Sequence, residues 1–549
     1  MKYSFLIISQ LILVLNIYAQ VQQEWAVRYQ NYGTNSLFPK FVQADYAGNI
    51  YIAADYDFRT NGMQWIILKY SASGSLMWTK YFGDSTRINT ISGLVLADSG
   101  KVYVAGTLYN DSTEEDYAIV RMDSSGAADW IRNYNGRNSL PGTSPDICYG
   151  LAADPSGNLY ITGTSDAPVT PPYTSDIVTL KYNPAGTLLW SKRMQSLNLY
   201  DDKGKALKFI NGFLYVSGGT GNGAGANQIP LLLKYDPNNG NILWARQFST
   251  GIRDGDFRKI DSDPEGNIVV SGLYDFPQTQ YDILTVKYNS AGDSLWVRKF
   301  NGSGNKWDAG KHLYVDSAGC IYVMGGCENN VIQGYFAVIK YSPAGEELWT
   351  KEIQSNVTTL YSTMGFAVDR YLNVYAGATQ NNDIFTQSYS STGLSLWNAS
   401  YNGPFNGSDV CTALTTDRFD NVITAGTSVD VGGRKDLVLI KYSQECVGVN
   451  QVSAETPIVF SLHQNYPNPF NPSTKIKFEI PLNVETTRRV VSLRIYDILG
   501  KEVSVLLNES LKPGVYETDF NGAGLPSGVY FYKLTSGDFS ETKKLILLK

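Results

Sequence analysis

The 549-residue chain has little of what most hydrolytic and metal sites need. It carries two histidines, His312 and His463, and five cysteines. A Ser-His-Asp triad would have to use His312, because His463 lies beside a Pro/Asn-rich connector, and nothing in the sequence identifies partners for it. The cysteines are Cys148, Cys320, Cys327, Cys411 and Cys446; an odd number leaves at least one unpaired. Cys320 and Cys327 flank IYVMGG, which reads as one strand. Seven extended residues cover about 23 Å, well beyond the ~7 Å that bridged Cα atoms allow. No cysteine or histidine spacing fits a zinc site. No block of basic residues exists and the net charge is −6, so a nucleic-acid partner has no electrostatic support. Beyond the first residues no apolar run reaches the ~18 residues of a membrane-spanning helix.

The start, MKYSFLIISQLILVLNIYAQ, reads as a secretory signal peptide over residues 1–19. Lys2 is its basic end, Phe5 to Leu15 its apolar stretch, and Ala19 the small residue before the cut. The mature protein is expected to be exported, with no transmembrane segment.

Tyrosine and glycine are abundant, which favours strands and tight turns. The strands repeat. VTLKYNPAGTLLW (Val178–Trp190) matches LTVKYNSAGDSLW (Leu284–Trp296), AVIKYSPAGEELW (Ala337–Trp349) and IILKYSASGSLMW (Ile66–Trp78). LLLKYDPNNGNILW (Leu231–Trp244) has one extra residue. Each is a strand, a turn and a second strand ending in Trp, hence a β-hairpin. A second hairpin precedes it, as in DPSGNLYITGT (Asp154–Thr164) and DPEGNIVVSGL (Asp263–Leu273). Four strands, a to d, therefore recur about every 52 residues, marked by Trp25, Trp78, Trp130, Trp190, Trp244, Trp296, Trp349 and Trp397. Trp65 and Trp307 stand outside the series. The last hairpin start, LVLIKYSQ (Leu437–Gln444), lacks a Trp strand, and the first Trp strand, around Trp25, lacks a hairpin. If the one completes the other, an all-β ring of eight four-stranded blades closes over residues 22–443. The count is seven or nine if a degenerate unit is divided differently. These units resemble the bacterial SBBP-type β-propeller repeat, with its D-x-x-G-N-x-Y-x-x-G and K-Y-x-x-x-G-x-x-x-W elements. That resemblance implies a fold, not an activity.

Several residue sets invite a function. Asp116, Asp176, Asp282, Asp383 and Asp436 recur before strand c, as a cation-binding ring or as ties within the scaffold. Lys69, Arg121, Lys181, Lys234, Lys287, Lys340 and Lys441 precede the repeated Tyr; their stems are expected along apolar neighbours and their heads in water. GGTGNGAGAN (Gly218–Asn227) leads into a strand rather than a helix, which excludes a phosphate cradle and leaves a loop. Acids crowd the b–c loops: Asp111, Glu114, Glu115, Asp166, Asp275 and Glu328. A pair of them about 5–9 Å apart would suit sugar hydrolysis, although spacing in sequence does not show proximity. Gly186 to Trp190 is similar to a sialidase box but one residue longer. DPNNGNILW (Asp236–Trp244) is similar to the docking hairpin of eight-bladed quinoprotein dehydrogenases, but no quinone or calcium ligands are identifiable. The reading is an extracellular binding or scaffold module with no cofactor and no metal. Its contact surface is the b–c loops Asp55–Gly62, Thr164–Ser175 and Gly272–Tyr281, with a glycan or protein as ligand. The alternative is a secreted enzyme, a glycan-active hydrolase or lyase or a quinoprotein dehydrogenase.

The repeat stops after Tyr442. Residues 444–461 read as a polar linker and 462–549 as a small immunoglobulin-like β-sandwich of about six strands. QNYPNPFNPST (Gln464–Thr474), IYDILGKEV (Ile495–Val503), LPSGVYFYKL (Leu525–Leu534) and KKLILLK (Lys543–Lys549) closely resemble the type A sorting domain of the type IX secretion system. The matching residues are Asn465, Tyr466, Pro467, Asn468, Pro469, Phe470, Asn471, Pro472, Tyr496, Asp497, Gly500, Gly528, Val529, Tyr530, Lys543 and Lys549. The resemblance implies passage through the periplasm of a Gram-negative bacterium to its surface or medium. It implies the secretion machinery and a sortase as partners, a cut between Cys446 and Phe460, and attachment to lipopolysaccharide or release.

Overall fold

The turn chemistry of the first hairpin sets the start of each repeat. In a computed structural model, Asp45 Oδ1 accepts the amides of Ala47 and Asn49 at 2.9 and 2.8 Å, while Oδ2 accepts Asn49 Nδ2 at 2.9 Å. Asp154, Asp316, Asp369 and Asp417 likewise accept the amides two and four residues on in their own turns. The carboxylate replaces the backbone partners that a two-strand reversal lacks. The described residues are 20–30, 35–58, 62–97, 100–111, 114–136, 146–166, 175–195, 201–221, 227–249, 251, 253–329, 334–355, 364–445, 449–453, 457–482, 489–511, 513–523 and 525–548. The expected signal peptide lies outside them. The fold divides into two units, residues 23–443 and a C-terminal one.

The first unit is built of four-stranded antiparallel sheets. In chain order they span residues 36–82, 90–134, 147–194, 203–247, 255–300, 308–354 and 365–401. An eighth combines three strands of residues 409–445 with Gln20–Tyr29 as its outer strand. Consecutive sheets share cores. Trp65 and Ile67 of the first pack with Val104 and Val120 of the second, and Ile423 and Leu439 of the eighth pack with Ile52 and Leu68 of the first. Strands b and c therefore meet a neighbour on both faces, and Ile321–Cys327 and Tyr335–Tyr341 are buried throughout. The first strands pack side by side from the first sheet to the sixth, and again from the seventh through the eighth to the first. They form the inner wall of a β-propeller. Antiparallel order puts the a–b turns, and the c–d turns of the first seven sheets, at one end, and the b–c loops with the connections between sheets at the other.

The repeated Lys, Gly and Trp form one clasp between neighbouring sheets. Lys181 Nζ and Trp190 Nε1 both donate to the Pro237 carbonyl at 2.9 Å, in the c–d turn of the next sheet. Lys69 and Trp78 share Ser124 O, Lys287 and Trp296 share Pro343 O, and Lys340 and Trp349 share Ser391 O, all within 3.1 Å. Arg121 and Trp130 do this at Pro184 O. Lys441 and Trp25, from opposite ends of the unit, share Ala72 O of the first sheet at 3.3 Å each. The turn glycine lies under the same indole: a Cβ on Gly345 would come within 2.8 Å of the Trp296 ring. At that position φ is +83°, which a side chain would also strain.

This corrects the expectation that the lysine heads stand in water. Lys69, Lys181, Lys234, Lys287, Lys340 and Lys441 are buried. A charge-assisted bond to a carbonyl at the turn corner offsets their desolvation. A tyrosine of strand b helps: Lys69 lies 4.9 Å over Tyr51, and Lys340 lies 4.8 Å over Tyr322. The clasp is absent where the seventh sheet meets the eighth. The eighth has no c–d turn, because its outer strand comes from the other end of the unit. Ser388 stands in the lysine's register opposite Trp397, and neither the Ser388 hydroxyl nor the Trp397 indole has a partner among the described residues.

The second unit is two four-stranded antiparallel sheets. One orders Val449–Ser453, Gly514–Asn521, Ser473–Ile480 and Ser461–Leu462; the other orders Glu502–Leu511, Arg489–Tyr496, Gly528–Ser536 and Phe539–Leu547. Ile476, Phe478 and Ile480 alternate inward to meet Leu493, Ile495, Tyr532 and Leu545. Eight strands replace the six expected. One of the extra strands, Val449–Ser453, lies in the segment read as linker.

The clasp yields a graded prediction. Lys287 is also ion-paired with buried Asp263 at 2.8 Å, so Lys287→Met strands a carboxylate and should cost about 3 kcal/mol. Lys340→Met loses a carbonyl partner and the Tyr322 ring contact but strands no carboxylate, and should cost about 1–2 kcal/mol. Urea unfolding followed by tryptophan fluorescence would rank them; equal losses would contradict this account.

Candidate functional site

The Asp series before strand c ties the scaffold within sheets. Asp176 pairs with Arg193 at 3.1 Å, Asp282 with Lys299 at 2.9 Å and Asp436 with Arg28 at 2.9 Å. In each case the start of strand c is joined to the end of strand d. Asp116 is buried and Asp383 half-buried, so the five stay in separate sheets. No cluster of three metal-ligating side chains occurs among the described residues. The hairpin Asp236–Trp244 supplies Pro237 O, the acceptor for the third sheet's clasp.

His312 sits on the inner strand of the sixth sheet, 5.7 Å from the Phe366 ring. Burial and the positive charges of Lys259 and Lys311 push its pKa down to about 3, so it is neutral and a weak base near pH 7. Of the loop acids, Asp111 is exposed and 3.8 Å from Arg87. The side chains of Glu114 and Asp166, and residues 59–61, 167–174 and 222–226 of the expected loops, lie outside the described residues.

Asp275 does join a constellation. At the loop end of the fifth sheet its carboxylate meets Arg253 at 3.2 Å, and its amide donates to Asp254 O at 2.8 Å. Tyr281, opposite Asp275 in the b–c hairpin, donates its hydroxyl to Asp254 Oδ2 at 2.5 Å. Burial, that bond and the nearby carboxylates hold the phenol far above its ordinary value, so it stays a neutral donor. Trp307, from the connection into the sixth sheet, lies against Tyr281 with ring centroids 4.7 Å apart and 40% of its surface exposed. An open aromatic plane flanked by two carboxylates and a guanidinium can cover an apolar ring face and bond its polar rim. Sequence reasoning found Asp275 and missed Trp307, whose signal was its departure from the repeat. In the same connection Gly302 N donates to Asp308 Oδ2 at 2.5 Å.

In the second unit, the Pro/Asn segment and the last strand are one structure. Asn468 Oδ1 accepts Ile546 N at 2.9 Å and Phe470 N donates to Ile546 O at 2.9 Å, while Leu548 N returns to Phe470 O at 3.0 Å. Buried Asn465 donates Nδ2 to Pro467 O and Thr474 Oγ1 at 3.1 and 2.9 Å, and Gly522 N donates to Pro472 O at 2.8 Å. His463 Nε2 lies 2.9 Å from Glu479 Oε1. Asp497 caps the amides of Leu499 and Lys501 at 2.9 Å, with Gly500 at φ +80°. Tyr496 pairs across to Phe531, Gly528 and Val529 start the strand opposite Ile546–Leu547, and Tyr530 donates to Pro526 O at 2.9 Å. Tyr466 is exposed, Pro469 and Asn471 belong to the same segment, Lys543 pairs with Glu541 at 3.1 Å, and Lys549 lies outside the described residues.

Residues 464–548 match the model of the secretion system C-terminal sorting domain, and residues 134–168 match that of the β-propeller repeat. The first match indicates export to the cell surface or extracellular space. An uncharacterized WD repeat-containing protein of Acanthamoeba polyphaga mimivirus is 23% identical over 271 residues, 43% of this chain; the match spans 17% of that protein's length. Drosophila Plexin A, solved in complex with Semaphorin 1b, is similar at 9% identity over 64% of this chain and 84% of its own, with a TM-score of 0.38. The β-propeller domain of the Trilobed protease from Pyrococcus furiosus is similar at 12% identity over 65% and 95%, with a TM-score of 0.35. No described helix is long and apolar enough to cross a membrane.

Asp308 gives a pH prediction. Burial raises its carboxyl to about 7 despite the Gly302 bond. The folded state then holds a proton that the unfolded chain, with a carboxyl near ~4, releases. Stability from this group is full below pH ~4 and is lost as pH rises through about 7. Asp308→Asn should flatten that fall in melting temperature between pH 4 and 7; an unchanged slope would refute it.

Proposed function

We propose that the chain is a cell-surface or released propeller that binds an extracellular ligand through the loop end of its sheets. Its eight sheets form a closed eight-bladed ring, with Gln20–Tyr29 completing the last blade. The shared acceptor of Lys441 and Trp25 at Ala72 supports this, as it repeats the clasp of the other junctions. The observation that carries the binding role is the contrast between the two ends of the sheets. One end is committed to Asp-capped turns and clasps, whereas the other holds Trp307, Tyr281, Asp254, Asp275 and Arg253 together. An aromatic plane with charged flanks suits a glycan, or a protein side chain presenting similar chemistry.

The second unit, an immunoglobulin-like sandwich, is the address. It engages the type IX secretion machinery after general secretion into the periplasm of a Gram-negative bacterium. A sortase cuts between Cys446 and Phe460, releasing the propeller or joining it to lipopolysaccharide. The sorting residues act as the paired surface of the Pro/Asn segment and the last strand.

Two outcomes follow. Deleting Lys543–Lys549 removes the half of the last strand that Asn468 and Phe470 hold, so immunoblots of cell fractions should find the protein in the periplasm; arrival in the medium or at the surface would sink the sorting role. On a glycan and peptide panel, Trp307→Ala should weaken the strongest interaction about tenfold, the ~1.4 kcal/mol scale of one aromatic contact. Undiminished binding would move the site elsewhere.

A further inference from the structure

The inner strands carry a second, separate feature. In every sheet but the seventh, the described inner strand has a bulge where one extra residue opposes its partner strand. In the fourth, fifth and sixth sheets these residues are Lys205, Arg258 and Lys311, between the pairs Gly204↔Gly218 and Ala206↔Ser217, Phe257↔Gly272 and Lys259↔Ser271, and Gly310↔Gly325 and His312↔Met324. The three strands are neighbours, so the cations lie at one level of adjoining wall. Lys259, next to the bulge, adds a fourth.

The scaffold does not require cations here. The equivalent bulges of the second, third and eighth sheets hold Ser92, Tyr149 and Thr412. In the first sheet the bulge residue is Lys40, which Asp55 neutralises at 2.5 Å. Asp256 pairs with Arg258 at 2.7 Å, and Lys205 rests over the Tyr149 ring at 4.3 Å. Lys259 has no ion pair among the described residues, and its side chain is open to solvent. Surrounding protein and the charges of Arg258 and Lys259 lower Lys311 to about 8. Like charges in a partly desolvated wall repel one another, in a chain whose net charge is −6. Bulges commonly re-aim side chains beside sites, and a concave wall of one sign concentrates ions of the other.

We propose that this inner wall binds a polyvalent oxyanion, a phosphate- or sulfate-bearing ligand held by Lys205, Arg258, Lys259 and Lys311. Two or more negative charges would offset the repulsion and bridge strands of three successive sheets. A guanidinium beside ammonium groups is suited to such oxyanions. The site is distinct from the aromatic one at the loop end and does not depend on it.

Isothermal titration of the full mature chain with pyrophosphate and, separately, sodium sulfate tests this at low ionic strength. The expected result is one site per chain, weakened about tenfold in Lys259→Gln and again in Lys311→Gln, and weakened by added sodium chloride. Pyrophosphate binding without sulfate binding assigns the ligand to phosphate chemistry; binding of both assigns it to polyvalent oxyanions in general. Removing a repelling charge should also raise the melting temperature of unliganded Lys259→Gln above that of the unsubstituted protein, which loss of a structural contact would not do. Absence of binding, or equal affinity in the folded variants, overturns the proposal.

Discussion

Most sheets of the propeller depend on a carbonyl oxygen that belongs to the next one. Two donors from adjacent strands, an ammonium and an indole, converge on a turn corner that the chain reaches some 50 residues later, as Lys181 and Trp190 do at Pro237. The turn must present that oxygen outward and must bring a glycine under the indole, as at Gly345 beneath Trp296. Lysine, tryptophan and the turn are thus constrained together, and the constraint runs from sheet to sheet. It also fixes where variation is tolerated. The c–d turn keeps its oxygen in place even where it is one residue longer, as at Pro237, whereas the b–c loops at the other end carry no such repeated acceptor among the described residues.

Much of this was legible. The period, four strands per unit and the complement between the first Trp strand and the last hairpin all follow from spacing and turn residues. The role of the lysines was not, because their acceptor lies in another repeat and a backbone oxygen leaves no mark in a sequence. Read one hairpin at a time, Lys69 or Lys340 looks like an exposed strand residue with a long stem. Val449–Ser453 was hidden for a different reason. It pairs at the edge of the small sandwich with the polar sequence VNQVS, and an edge strand needs little apolar alternation. The inner-wall cations were hidden because their bulges carry no diagnostic residue, only a cation recurring in three consecutive units.

The departures from the repeat carry the most information. Ser388 replaces the clasp lysine at the one junction where no turn awaits it, so a buried ammonium without an acceptor is avoided. Trp307 is outside the Trp series and marks an aromatic surface. Lys205, Arg258 and Lys311 break the neutrality of the other inner bulges. A series of similar units can hold its shape by identical contacts, but recognition needs a direction, and direction comes only from units that differ.

The second unit follows the same reasoning on a smaller scale. Its Pro/Asn segment and its last strand lie about 75 residues apart in sequence, yet Asn468 and Phe470 bond directly to Ile546 and Leu548. Asn465 is buried beneath the turn and fixes it through Pro467 and Thr474. Prolines shape the approach, and asparagine side chains supply the donors and acceptors that proline nitrogens lack. The surface of either element is therefore made by both, although the two lie far apart in the sequence.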